Sequence, residues 1–129
     1  MNTARIITSQ ALDAIIRSAA GTNAERELMD GPPTRVAILH ECGKAGATAE
    51  THEQADDIFY VLDGSAVVTL GGTLNDAVQT AEGEWRGSGI SGGMEQQVSK
   101  GDVMLIPRGT PHMRHTIGRT AALLLVKVS

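Results

Sequence analysis

Aromatic residues are nearly absent: Phe59, Tyr60 and Trp85 are the only ones in 129 residues. A core of stacked rings is therefore excluded, and burial has to come from Val, Ile, Leu, Met and Ala. There is one cysteine, Cys42, so no internal disulfide can form, and a lone thiol does not reveal a redox compartment. No apolar run approaches the length of a membrane span. A charged start followed by a continuous apolar stretch is missing from the N-terminus, which makes the cytoplasm the expected location. Basic residues are few and scattered, with a net charge of −4. A nucleic-acid binder needs clustered cations to displace phosphate counterions, and a polybasic membrane contact needs them too. Neither partner is expected.

What is present is ordinary for one globular domain. Hydrophobic residues make up 41% and charged residues 20%, and the length suits one core. Helical spacing occurs once, in Leu12, Ile15, Ile16 and Ala19, with Ser9 as expected N-cap and Gly21 as stop. Thr22 to Pro33 is polar, ends in Gly31-Pro32-Pro33 and reads as a loop. The helix and linker thus occupy residues 1–34, ahead of a β domain over 35–129.

After residue 34 the pattern is that of short strands. Arg35–His40 is rich in β-branched and aliphatic residues, and a turn is expected around Gly43 to Gly46. Asp57–Leu62 reads as a strand stopped by Asp63-Gly64, with Ser65–Leu70 as its hairpin partner. Thr73 to Gly93 holds short strands and a long loop. Met94–Ser99, Val103–Ile106, His112–Ile117 and Ala121–Val128 complete the set. Short strands punctuated by Gly and Pro predict an antiparallel sandwich or barrel.

The segment Gly101-Asp102-Val103-Met104-Leu105-Ile106-Pro107-Arg108-Gly109-Thr110-Pro111-His112 carries the most chemistry. Pro107 cannot donate to a ladder and ends its strand. Gly109 supplies backbone freedom in the corner. His112 opens the next strand at the rim, where a neutral imidazole can hold a metal. Gly101, Pro107, Gly109 and His112 resemble the second motif of the cupin family, with Thr116 where that motif has Asn. Glu50, His52, Asp57 and Gly64 resemble its first motif, with Glu50 for the first His and Asp57 for the Glu.

The resemblance implies an all-β antiparallel cupin barrel, a double-stranded β-helix or jelly roll, with a short N-terminal helix. It also implies one divalent metal, Fe, Mn, Ni or Zn, held by His52, His112, Asp57 and Glu50. Two His plus carboxylate match a facial-triad composition, and the added carboxylate tilts the site toward Mn or Fe over Cu. Aspartate is one methylene shorter than glutamate, so the oxygen ligand is open between Glu50, Asp57 and, on an irregular strand, Asp56.

Two functional readings stand. One is a metal-dependent enzyme of the oxygenase, isomerase or lyase type, acting on a small organic molecule in the barrel mouth. Glu50 would then be a candidate catalytic base if it is not a ligand. The other is a non-catalytic binding or sensing barrel. Arg114 shares strand parity with His112 and must meet an anion, either a substrate carboxylate or a structural partner such as Glu50 or Asp57. With Phe59 it forms the candidate substrate-binding pair. His115 has the opposite parity and should face outward, and His40 reads as a strand-end residue. The apolar side of the helix needs cover that a small barrel hardly provides, so a homodimer is expected.

Overall fold

A computed structural model describes residues 4–31, 33–45 and 49–129; Gly46, the far end of the expected turn, lies outside them. Helix α1 spans Ser9–Ser18, and its cap is Thr8 rather than Ser9. The Thr8 backbone is extended and its hydroxyl accepts from the Ala11 N–H at 3.1 Å, while Ser9 is already helical. Leu12, Ile15, Ile16 and Ala19 are its half-buried face, and Gly21, at φ 78°, ends the segment.

Twelve strands follow among the described residues: β1 (Ala24–Met29), β2 (Thr34–Cys42), β3 (Ala49–His52), β4 (Asp56–Leu70), β5 (Thr73–Asn75), β6 (Val78–Ala81), β7 (Glu84–Gly87), β8 (Gly89–Ser91), β9 (Met94–Ser99), β10 (Val103–Ile106), β11 (His112–His115) and β12 (Thr120–Val128). One face of the assembly runs β1-β2-β12-β4-β10 and the other β9-β4-β11-β3-β7-β6, so β4 belongs to both; β5 and β8 pair separately. All pairings among the described strands are antiparallel.

Two expectations are corrected. The stretch expected as a loop, Thr22 to Pro33, contains β1. Its sequence, AERELM, shows no alternation, because an edge strand is held by its backbone ladder to β2 rather than by burial. Arg35 reinforces that ladder by pairing with Glu25 and Glu27. The expected hairpin at Asp63-Gly64 is instead one continuous strand. Asp56–Gly64 pairs with β12 and Ser65–Leu70 with β9, with a bulge where the register slips between Ala122 and Leu123. Asp-Gly does mark a positive φ, 71° at Gly64, but the chain uses it to bend from one sheet into the other.

Gly64 also touches β12 closely: a Cβ there would lie 2.0 Å from the Thr120 carbonyl oxygen. Gly64→Ala should therefore destabilise the fold by at least ~2 kcal/mol, from left-handed strain plus the clash. Urea denaturation measures this, and a change below about 0.5 kcal/mol would show that the bend relaxes freely.

Inward-facing residues of these strands meet in one core: Leu39 from β2, Phe59, Val61 and Val68 from β4, Met104 and Ile106 from β10, Leu123 and Leu125 from β12. Phe59 is its only aromatic member, 2% exposed. The polar site lies at one end of this interior.

Candidate metal centre

Strand β3 places Glu50 and His52 on one face, since residues two apart share a side. His112, at the start of β11, pairs directly with Glu50, and Asp57 projects inward from β4. The corner before His112 is docked on β3, with the Gly109 N–H donating to the His52 carbonyl at 2.7 Å. Four side chains from three strands therefore converge.

Their inner atoms surround one point. His52 Nε2 lies 3.5 Å from Glu50 Oε1 and 3.4 Å from Asp57 Oδ2. His112 Nε2 lies 3.4 Å from Glu50 Oε1 and 3.7 Å from Asp57 Oδ2. These separations are long for hydrogen bonds. They suit donors around a shared ion, since atoms about 2.1 Å from one centre sit roughly 3.0–3.4 Å apart. Glu50, His52 and His112 form the tight group, with ligand atoms within 4.8 Å of one another. His112 Nε2 is buried and has no hydrogen-bond partner among the described residues, an arrangement that disfavours a site meant to stay empty of ligands. The residues present thus fit a divalent ion.

The outer atoms are tied as well. His112 Nδ1 donates to the Thr110 carbonyl at 2.9 Å, and His52 Nδ1 meets Glu84 Oε1 at 2.8 Å. Glu50 Oε2 is paired with Arg86, and Asp57 Oδ1 lies 3.1 Å from Lys127 Nζ. Burial depresses the His112 imidazole to about 4 despite the Thr110 carbonyl, so it is neutral, the ligating form, at neutral pH. For Asp57, burial pushes its carboxyl upward, but its polar surroundings, with Lys127 the fixed positive charge among them, outweigh it and hold it below the ordinary range.

Asp56 is elsewhere. It points outward, accepts from the Arg108 backbone N–H at 2.8 Å and pairs with the Arg108 side chain at 3.2 Å. Arg114 is inward, yet its anion is neither Glu50 nor Asp57: its Nε donates to Glu41 Oε1 at 2.6 Å, and its guanidinium covers the Phe59 ring at 5.2 Å. Burial pushes Glu41 upward; Arg114 and Lys44 outweigh it and hold it low. His115 Nδ1 lies 3.4 Å from the Ile117 backbone nitrogen, and His40 Nδ1 bonds the Thr22 carbonyl at 2.8 Å. Neither joins the cluster.

Four participants were not singled out in the sequence: Glu41, Glu84, Arg86 and Lys127. Lys127 and Glu41 could have been found by the inward parity of their strands. Glu84 and Arg86 lie in the weakly patterned stretch, where no signal marked them. The cluster opens into a cavity of about 350 Å³, whose lining includes Phe59, Arg86, Arg114 and Lys127.

Among solved structures, an uncharacterised protein with a double-stranded β-helix domain from Klebsiella pneumoniae is 16% identical, with a TM-score of 0.66 over 98% of this chain and 90% of that one. The polyketide cyclase RemF from Streptomyces resistomycificus is 22% identical, with a TM-score of 0.59 over 85% of this chain and 67% of its own. The DMSP lyase DddQ from Ruegeria pomeroyi is 16% identical, with a TM-score of 0.61 over 83% of this chain and 47% of its own. At these identities the likeness speaks for the fold alone. No curated protein matches. The model of the family described as Cupin matches residues 37–129, a range that contains the bent β4, the corner before His112 and all four converging side chains, and the chain belongs to the cupin family.

Proposed function

We propose that this protein is a metal-dependent enzyme acting on a small polar organic molecule in the barrel mouth. Glu50, His52 and His112 would hold one divalent ion, Fe, Mn, Ni or Zn, with Asp57 beside it. The observation that carries this reading is the convergence of two imidazole Nε2 atoms and a carboxylate, one nitrogen being buried and unpartnered. A bound ion would supply Lewis-acid or redox chemistry. Phe59 forms an apolar floor, and Arg114, anchored by Glu41 through Nε and Nη2, has its Nη1 without a hydrogen bond among the described residues and so able to meet a substrate oxygen. Glu50 Oε1 is turned toward both imidazoles, which favours a ligand; Glu50 becomes the base only if Asp57 is the oxygen ligand. An oxygenase, isomerase or lyase would each be compatible, and the cyclase and lyase among the structural relatives make catalysis a natural use of this fold. Mass-spectrometric metal analysis of the purified protein tests the reading: about one first-row ion per chain supports it, and none under metal-replete conditions refutes it.

The non-catalytic barrel is favoured by one specific feature. Arg86 and Lys127 already neutralise Glu50 and Asp57, so these carboxylates are compensated without an ion.

For the assembly we propose a homodimer. On the outer face, Val103 stands opposite Tyr60 and Leu105 opposite Ile58, all four exposed. Such a patch invites a partner. Sedimentation should give a dimer at micromolar concentration, and Leu105→Lys should shift it toward monomer. A clean monomeric wild type would overturn this.

A further inference from the structure

Strand β7 faces β3 in antiparallel register, with Glu84 opposite His52 and Arg86 opposite Glu50. Residues two apart share a face on both strands. A carboxylate therefore meets the imidazole and a guanidinium meets the carboxylate, in matched order. Both Glu84 oxygens lie near His52 Nδ1, at 2.8 and 3.0 Å. An ionised carboxylate can only accept, so Nδ1 carries a proton, and in the neutral imidazole the Nε2 lone pair then points into the cluster. The opposite tautomer would set the Nδ1 lone pair against the carboxylate, and its Nε2–H would reach only the long contacts with Glu50 and Asp57. On Glu50, Arg86 occupies Oε2, which leaves Oε1 directed at the two imidazoles.

We propose that Glu84 and Arg86 are positioning residues: from β7, Glu84 sets the donor nitrogen of His52 and Arg86 sets the donor oxygen of Glu50. The metal half of this proposal rests on the proposed function; the tautomer half does not. Neither side chain is itself buried, at 36% and 42% exposed. Glu84→Ala removes no counter-charge from a buried carboxylate, whereas Arg86→Ala takes the compensating charge from Glu50, 21% exposed, so Arg86→Lys, which keeps that charge without the fork, separates positioning from charge compensation. Outer partners of this kind typically change metal affinity 10- to 100-fold.

The tautomer half is read by ¹⁵N NMR of histidine-labelled, metal-free protein near pH 8.5, where imidazoles are ordinarily neutral. His52 should carry its proton on Nδ1 in the wild type and in Glu84→Gln, whose amide oxygen still accepts. In Glu84→Ala the proton should redistribute toward Nε2. Cobalt(II) titration reads the other half. Affinity should fall ~10- to 100-fold in Glu84→Ala and about 10-fold in Arg86→Ala, with partial recovery in Glu84→Gln and Arg86→Lys. The thermal midpoint of the metal-free protein should hardly move in Glu84→Gln and Arg86→Lys, which keep the acceptor and the charge. An unchanged His52 tautomer in Glu84→Ala would overturn the role of Glu84. Wild-type affinity in both alanine variants would overturn the positioning of the metal donors while leaving the metal site itself intact. A wild type that binds no cobalt(II) would overturn the metal site together with the role of Arg86, and the tautomer would still decide Glu84.

Discussion

His112→Ala and His52→Ala should each strip most of the metal from the purified protein, whereas His115→Ala should keep wild-type content. Zinc sites with four protein ligands have apparent binding free energies of about 10–16 kcal/mol, so one nitrogen is worth on the order of 3 kcal/mol, ~100-fold in affinity. The two imidazoles reach one point from different strands, and their inner nitrogens face the same Glu50 and Asp57 oxygens. Losing either leaves a single nitrogen. Glu50→Ala should follow closely, because Glu50 belongs to the tight group. Asp57→Asn should weaken binding less, since that carboxylate is shared with Lys127 and lies outside the group. Mass-spectrometric metal content and chelator competition read the series. Unchanged occupancy in both His52→Ala and His112→Ala would sink the site and leave the non-catalytic barrel as the better reading.

The parts of this site that could be read in the sequence are those with local constraints. Pro107, Gly109 and His112 are legible because a strand end, a positive φ and a rim position each demand a residue type at fixed spacing. Glu50 and His52 sit two apart, which places them on one face wherever a strand forms. The strand β3 itself was not legible: four residues of AETH have little periodicity, and its support comes from β7 and β11, distant in sequence. β1 was missed for the same reason, as an edge strand held by backbone pairing. At Asp63-Gly64 the local signal was sound but ambiguous, because a positive φ serves a bend as well as a reversal. Only the pairing of β4 with β12 and β9 separates the two. Arg114 illustrates the limit for charges. Its inward direction followed from parity, yet its partner Glu41 lies 73 residues away, and nothing local marks one buried carboxylate over another.

The stability of the metal-free protein should fall as the pH drops from about 6.5 to about 4, and His112 should account for much of the fall. In the unfolded chain this imidazole takes up its proton near the ordinary value of about 6.5; in the fold, burial delays that to about 4. Between the two values the unfolded state binds more protons, so added acid favours unfolding. The contribution is complete above the upper value and lost at the lower one. The separation corresponds to about 3 kcal/mol, a large share of a small domain's stability. Asp57 and Glu41 act with the same sign at lower pH. Their carboxyls are held below the ordinary range, so their contribution is present above the unfolded value and disappears as the pH falls through the folded one. Urea denaturation with a chelator present, compared at pH 7 and pH 4.5, isolates the histidine window. The wild type should lose ~2–3 kcal/mol between these points. His112→Gln, which cannot titrate, should start less stable and show a correspondingly flatter dependence. If the two proteins lose stability in parallel, His112 is not the buried neutral imidazole that this geometry requires.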